Sequence, residues 1–198
     1  MQSGAQIMKR VLLIISLHLF LFLIVFAYQA QADENEEWYV NDFGTFVVAA
    51  VSGEVIHGDK LRFFIKKSDC SKVAMMFSFS TSMKKEEIKD LTDKKLPIRI
   101  NDWDTIRGAR VIYVHPFQFM TIVMMQTPGF HEIEEFISSL NAMYSFEKEF
   151  SIQLVKQPEY DPEEHFDILH NNWKLDHLEE NIQKAKSICL GPDEIRTT

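Results

Sequence analysis

The sequence predicts a β-rich α+β domain, an antiparallel β-sandwich-like arrangement or curled sheet carrying two helices, about 128–141 and 175–189. Three observations lead there. Short apolar runs rich in β-branched and aromatic residues recur between turn signals of Gly, Asn, Asp and Pro. Val73, Met75, Phe77 and Phe79 alternate with Ser78 and Ser80 on the other side, the period of a half-buried strand. Two later stretches repeat their apolar residues at spacings of three and four.

The chain opens with a different pattern. Residues 11–27 are an apolar run preceded by Lys9 and Arg10, followed by Ala30-Gln31-Ala32, and no acidic residue occurs before Asp33. A positive n-region, an apolar h-region and an A-x-A site form a secretory signal peptide. Residues 1–32 are therefore expected to be removed, leaving 33–198 as a single exported domain, periplasmic or secreted. The alternative is an uncleaved anchor, since the run sits at the short edge of the about 17–25 residues that span a bilayer. The protein would then be membrane-tethered; after cleavage no stable membrane insertion is expected.

In the exported part, residues 38–40 and 45–51 read as strands separated by the turn-like Asn41-Asp42-Phe43-Gly44. Residues 61–65 follow, then the alternating 73–79. Residues 84–95 are densely charged, and Ile88 and Leu91 fit a short exposed helix or a charged loop equally well. Residues 96–100 resume as a strand, with Pro97 near its start where a missing amide costs little. Asn101–Asp104 and Arg107-Gly108 read as a hairpin connection, and 110–114 and 117–125 as strands broken by His115-Pro116.

Thr127-Pro128 has the form of a helix start, a hydroxyl cap followed by proline at the first helical position. Ile133, Phe136, Ile137 and Leu140 then make one apolar stripe. Phe146, Phe150, Ile152 and Leu154 suggest a last strand. Asp161-Pro162-Glu163-Glu164-His165 is a polar helix start or loop. Leu175, Leu178, Ile182, Ala185 and Cys189 form the stripe of a second helix, ended by Gly191-Pro192.

Cys70 and Cys189 are the only cysteines, and both lie in the exported part. An even count in an oxidising compartment reads as one disulfide, which would staple the last helix to the sheet. The net charge is −8, and it becomes more negative once the cationic leader is removed. That balance argues against nucleic acid, whose binding depends on Lys and Arg neutralising phosphates. It permits a basic protein partner and keeps an exported protein soluble.

Three groups of side chains are candidates for chemistry. His165, His170 and His177, with neighbouring carboxylates, are the densest set of potential metal ligands, with Asp167–His170 and His177–Glu180 sharing a face if the segment is helical. Solvated charges on an exposed face are the plainer reading. Asp102 and Asp104 are paired carboxylates on a turn, where turn formation alone explains them. Trp103 between them is a candidate binding residue, because an exposed indole is a frequent interface anchor. No nucleophile elbow, zinc helix, phosphate loop or S-x-x-K pair occurs.

Several of these features occur together in a known layout: Trp38 after the leader, a strand leading into Cys70, the alternating 73–79, the strand end Arg99–Asp102, and a late strand from Phe150 before a helix ending in Cys189. In this the chain resembles small bacterial exported proteins of the invasion-associated locus B type and type VI secretion-associated accessory proteins. The resemblance implies a β-sandwich-like, non-enzymatic envelope protein. The function expected is that of a non-catalytic accessory protein without a cofactor, binding another envelope or secreted protein. The alternatives are metal binding through the His165–His177 region and a hydrolase whose site is assembled from distant residues.

Overall fold

A computed structural model describes residues 38–56, 58–82, 88–117 and 119–191. The leader and its cleavage site lie outside them, as do His57 and residues 83–87 of the charged insert.

The first hairpin forms because residues 42–46 can turn tightly. Gly44 takes a φ of +79°, its amide donates to Asp42 Oδ1 at 2.8 Å, and Phe43 N donates to Phe46 O. This joins β1 (Trp38–Asp42) to β2 (Phe46–Ser52). Then β3 (Lys60–Lys66) and the long β4 (Asp69–Thr81) follow, with Leu61, Phe63, Ile65, Val73, Phe77 and Phe79 all buried. The remaining strands are β5 (Lys95–Ile100), β6 (Ile106–Phe117), β7 (Met120–Gln126), the two-residue β8 (His131–Glu132), β9 (Phe150–Leu154) and β10 (His170–Trp173). All pair antiparallel in one sheet with the order β1-β2-β3-β4-β7-β6-β5-β9-β10, and β8 adds to β4.

The strands make a single curled sheet rather than the expected sandwich-like alternative, and the loop after β2 closes on the far edge strand, β10. The loop after β2 meets β10: Glu54 N donates to Asn172 O at 2.9 Å and Val55 N to Asn171 Oδ1 at 3.0 Å. Asn172 and Lys174 both engage the Glu54 carboxylate. Asp59, fully buried, accepts from Ser80 Oγ at 2.5 Å and from Asn171 Nδ2 at 3.3 Å. Burial pushes the Asp59 carboxyl up to about 6 although both hydrogen bonds favour its charged form. Gly53 has to be glycine at this seam, since a Cβ there would sit 2.4 Å from Asn171 Nδ2.

Helix α2 (Leu178–Leu190) buries Leu178, Ile182 and Ala185 and packs over β1, β2 and β3. A disulfide joins Cys189 to Cys70, closing a sequence separation of 119 residues, so the expected staple is present. The helix begins three residues after the expected 175, because His177 takes a left-handed φ of +65° that interrupts the stripe after Leu175.

Helix α1 (Ile133–Glu147) replaces the expected 128–141. Thr127 does not cap it: its amide and hydroxyl both donate to Met75 O at 3.2 Å, Gly129 bends the chain at φ +91°, and His131 and Glu132 pair with Val73 and Lys72 as β8. The helix therefore starts later and runs on through Phe146, which the sequence placed in the last strand. In the same way, β6 runs through His115-Pro116 without a break. Beyond Val111 it pairs with β7 alone, so the amide that Pro116 lacks falls on an edge, where no partner needs it. Arg107-Gly108 accordingly sit inside β6 rather than in the hairpin connection.

The polar stretch before α2 is not helical beyond one 3-10 turn, Pro162–Glu164, capped by Asp161. Strand β10 was not expected, because His170-Asn171-Asn172-Trp173 has no β-branched residue to announce it. Ile88 and Leu91 of the charged insert are buried, which makes that turn part of the core. Among the described residues no helix is long and apolar enough to cross a membrane.

Candidate apolar groove beside Trp103

The seating of α1 on the sheet leaves a groove. Ile133, Ile137 and Leu140 are buried, at spacings of four and three, but no residue of α1 after Leu140 is. From there on the helix turns half-exposed or exposed side chains toward a cleft of about 1000 Å³. Its floor is the apolar face of the sheet: Met75 from β4, Ile98 and Ile100 from β5, Phe150 from β9. Leu140, Met143 and Phe136 form the helix wall.

Three aromatic side chains stand at this cleft while open to solvent: Trp103 at 41 %, Phe130 at 44 % and Phe146 at 89 % exposure. Keeping such rings in water forgoes the roughly 1.5–3 kcal/mol that burying a large apolar side chain yields. Each is held by its local structure. Trp103 sits on the turn after β5, where Asn101 adopts φ +50° and ties the turn to β9, accepting from Ser151 N at 2.8 Å and donating to Glu149 O at 3.2 Å. Phe130 follows the Gly129 bend, and Phe146 lies in the last turn of α1, which Lys148 ends in a left-handed conformation.

Charge is distributed unevenly around the groove. Glu132, Glu135 and Glu147 come from β8 and α1 on one side. Arg107 from β6 is the only Lys or Arg among the lining residues, and no ion pair is formed to it among the described residues. Thr127, His131 and Ser139 are the other polar residues of the lining.

The other sequence candidates are scattered. His165 stacks on Tyr160 with 5.9 Å between ring centroids, and its Nδ1 is buried without a hydrogen-bond partner. His170 Nε2 lies 4.0 Å from Glu149, and His177 Nδ1 lies 3.2 Å from Glu180, the expected i+3 pair. Asp167, the expected neighbour of His170, instead accepts from Ser82 N at 2.6 Å. Among the described residues no three His, Cys, Asp or Glu side chains converge as a metal site would need. Asp102 and Asp104 are both exposed on the turn.

The sequence singles out Trp103, which is exposed and stands at this cleft, but not Phe130 or Phe146 beside it. Phe130 offered no periodicity, and Phe146 fell in the window assigned to a strand. Nor does the sequence single out Asp59, whose burial depends on Ser80 and Asn171, far away in the chain. Asp59 lines neither the groove nor the second large cleft. No known protein family, characterised protein or solved structure matches this chain.

Proposed function

We propose that this protein is a non-catalytic exported accessory protein, and that its groove takes an apolar segment of a partner protein in the envelope or outside the cell. The observation that carries the reading is the groove itself, apolar on its floor and flanked by Trp103, Phe130 and Phe146 in solvent. Exposed aromatics around a well-formed apolar depression mark binding sites rather than chance surface. The leader-like first 32 residues and the Cys70–Cys189 disulfide support an oxidising compartment. The resemblance to small exported bacterial accessory proteins points the same way. Glu132, Glu135 and Glu147 favour a partner segment with basic residues along the helix side.

The test uses synthetic peptides of Leu and Phe flanked by Lys, titrated against the protein. Saturable binding with a blue shift of tryptophan emission, the shift being lost in Trp103→Phe, is the expected result. A Phe146→Ser variant with unchanged unfolding midpoint should bind more weakly. The same peptide with Glu in place of Lys should bind less well. Absence of binding by any peptide, with the protein folded, would overturn the reading. Intact mass of the exported protein checks the leader: a chain beginning at Asp33 is expected.

A further inference from the structure

We propose that the partner segment is a chain end, its free carboxylate held at Arg107 while its apolar side chains occupy the groove; this rests on the groove reading above. Arg107 and Gly108 line both the groove and a second cleft of about 900 Å³, so this part of β6 is shared between the two. Lys94 and Lys95 line the second cleft. The Lys95 stem lies over Gly108, 3.6 Å from where a Cβ would be, and Gly108 leaves it that room. Like Arg107, neither lysine is in an ion pair among the described residues. The second cleft also holds Glu159, Asp161 and Glu164, and Lys95 pairs with Arg110 on the face of the sheet opposite Arg107, so Arg107 is the one Lys or Arg that the described residues offer to the groove.

The acids of the groove belong to the other wall, on β8 and α1. The cleft is therefore polarised, with acids along the helix and one guanidinium on the strand side. An internal apolar segment brings no anion for Arg107. A C-terminal segment brings one, planar and matched to the guanidinium fork, which accepts a carboxylate through two parallel hydrogen bonds. The apolar side chains behind that terminus would then run along the floor of Ile98, Ile100 and Phe150. The groove volume, at the upper end of ligand pockets, holds more than one side chain.

The experiment compares three forms of one Leu/Phe/Lys peptide by calorimetry and Trp103 emission: free acid, C-terminal amide, and amide with a terminal Glu. The free acid is expected to bind roughly tenfold tighter than the amide, the scale of one charge-assisted contact. Arg107→Gln should bring the free acid down to the level of the amide and leave the amide unchanged. Arg107 is exposed, so this variant should keep the parent unfolding midpoint. Lys95→Gln should leave the free acid unchanged, because Lys95 lines only the second cleft, on the face of the sheet opposite Arg107. Equal binding of acid and amide would overturn end capture while leaving the groove reading intact. So would a Glu-amide as tight as the free acid, because any carboxylate would then serve. If no form binds, both readings fall together.

Discussion

The two helices lie on one sheet and leave it in different states. Helix α2 presses Leu178, Ile182 and Ala185 onto β1–β3 and is bonded covalently to β4 through Cys189. Helix α1 buries side chains only as far as Leu140; Met143 and Tyr144 beyond it are half-buried against the core, and Met143 and Phe146 also line a cleft. Apolar periodicity thus gives a helix its buried face but not its closeness to the sheet. In α2 the stripe continues to the disulfide. In α1 full burial ends at Leu140, and Met143 and Tyr144 carry the stripe on only half-buried, beside the cleft.

The largest effect should come from cutting the staple. Replacing both cysteines by Ser removes a link across 119 residues, and the chain-entropy model puts the loss at roughly 4–5 kcal/mol. Urea unfolding of the double variant should show it, and tight binding at the groove should survive wherever the protein remains folded. Next in size is the core of the sealed side: Ile182→Ala should cost about 2–5 kcal/mol. A comparable change on the open side, Phe146→Ser, should move the midpoint by no more than about 0.5 kcal/mol, because the ring is already in water. Equal losses from the two would mean that the helices are seated alike.

The seam, where neither helix lies, should respond to pH instead. The Asp59 carboxyl is raised from 3.8 to about 6 in the folded state. Between those values the native protein holds a proton that the unfolded chain has released, so this group's contribution to stability falls as pH rises through the window. A shift of that size corresponds to about 2–3 kcal/mol, present below about pH 4 and lost above about pH 6. Asp42, held low by the hydrogen bond from Lys67, and Asp69, held low by that from Ser71 and then by Lys72, act below this window. The difference in urea midpoint between pH 4.5 and 7 should therefore shrink in Asp59→Asn. Smallest of all, Trp103→Ala should leave stability within about 0.5 kcal/mol of the parent while weakening peptide binding.

Much of this was legible in the chain. The alternation of 73–79, the apolar run 45–51 and the stripe of Ile133, Ile137 and Leu140 each place the elements that formed, because burial on one face writes its own period. The disulfide was legible too, from two cysteines and a leader. What was not legible depended on distant partners. Thr127-Pro128 carries every local mark of a helix start, yet the Met75 carbonyl claims Thr127 and strand pairing claims His131. Residues 170–173 become a strand because Ile152 and Phe150 lie opposite, not because of their own propensity. Trp103 was found as one exposed ring; the groove needed Phe130, Phe146 and the lift of α1, which no spacing announces. The single curled sheet depends in the same way on the seam at Asp59 and Asn171.

That seam also sets an order of events in synthesis. The loop after β2 is completed only by β10, and Cys70 waits for Cys189, so the first half of the sheet has no finished boundary until the last described helix exists. Such wide sequence separations slow folding and hold a growing chain open. A polypeptide with this arrangement becomes a closed, disulfide-linked body only after its late segments have been made.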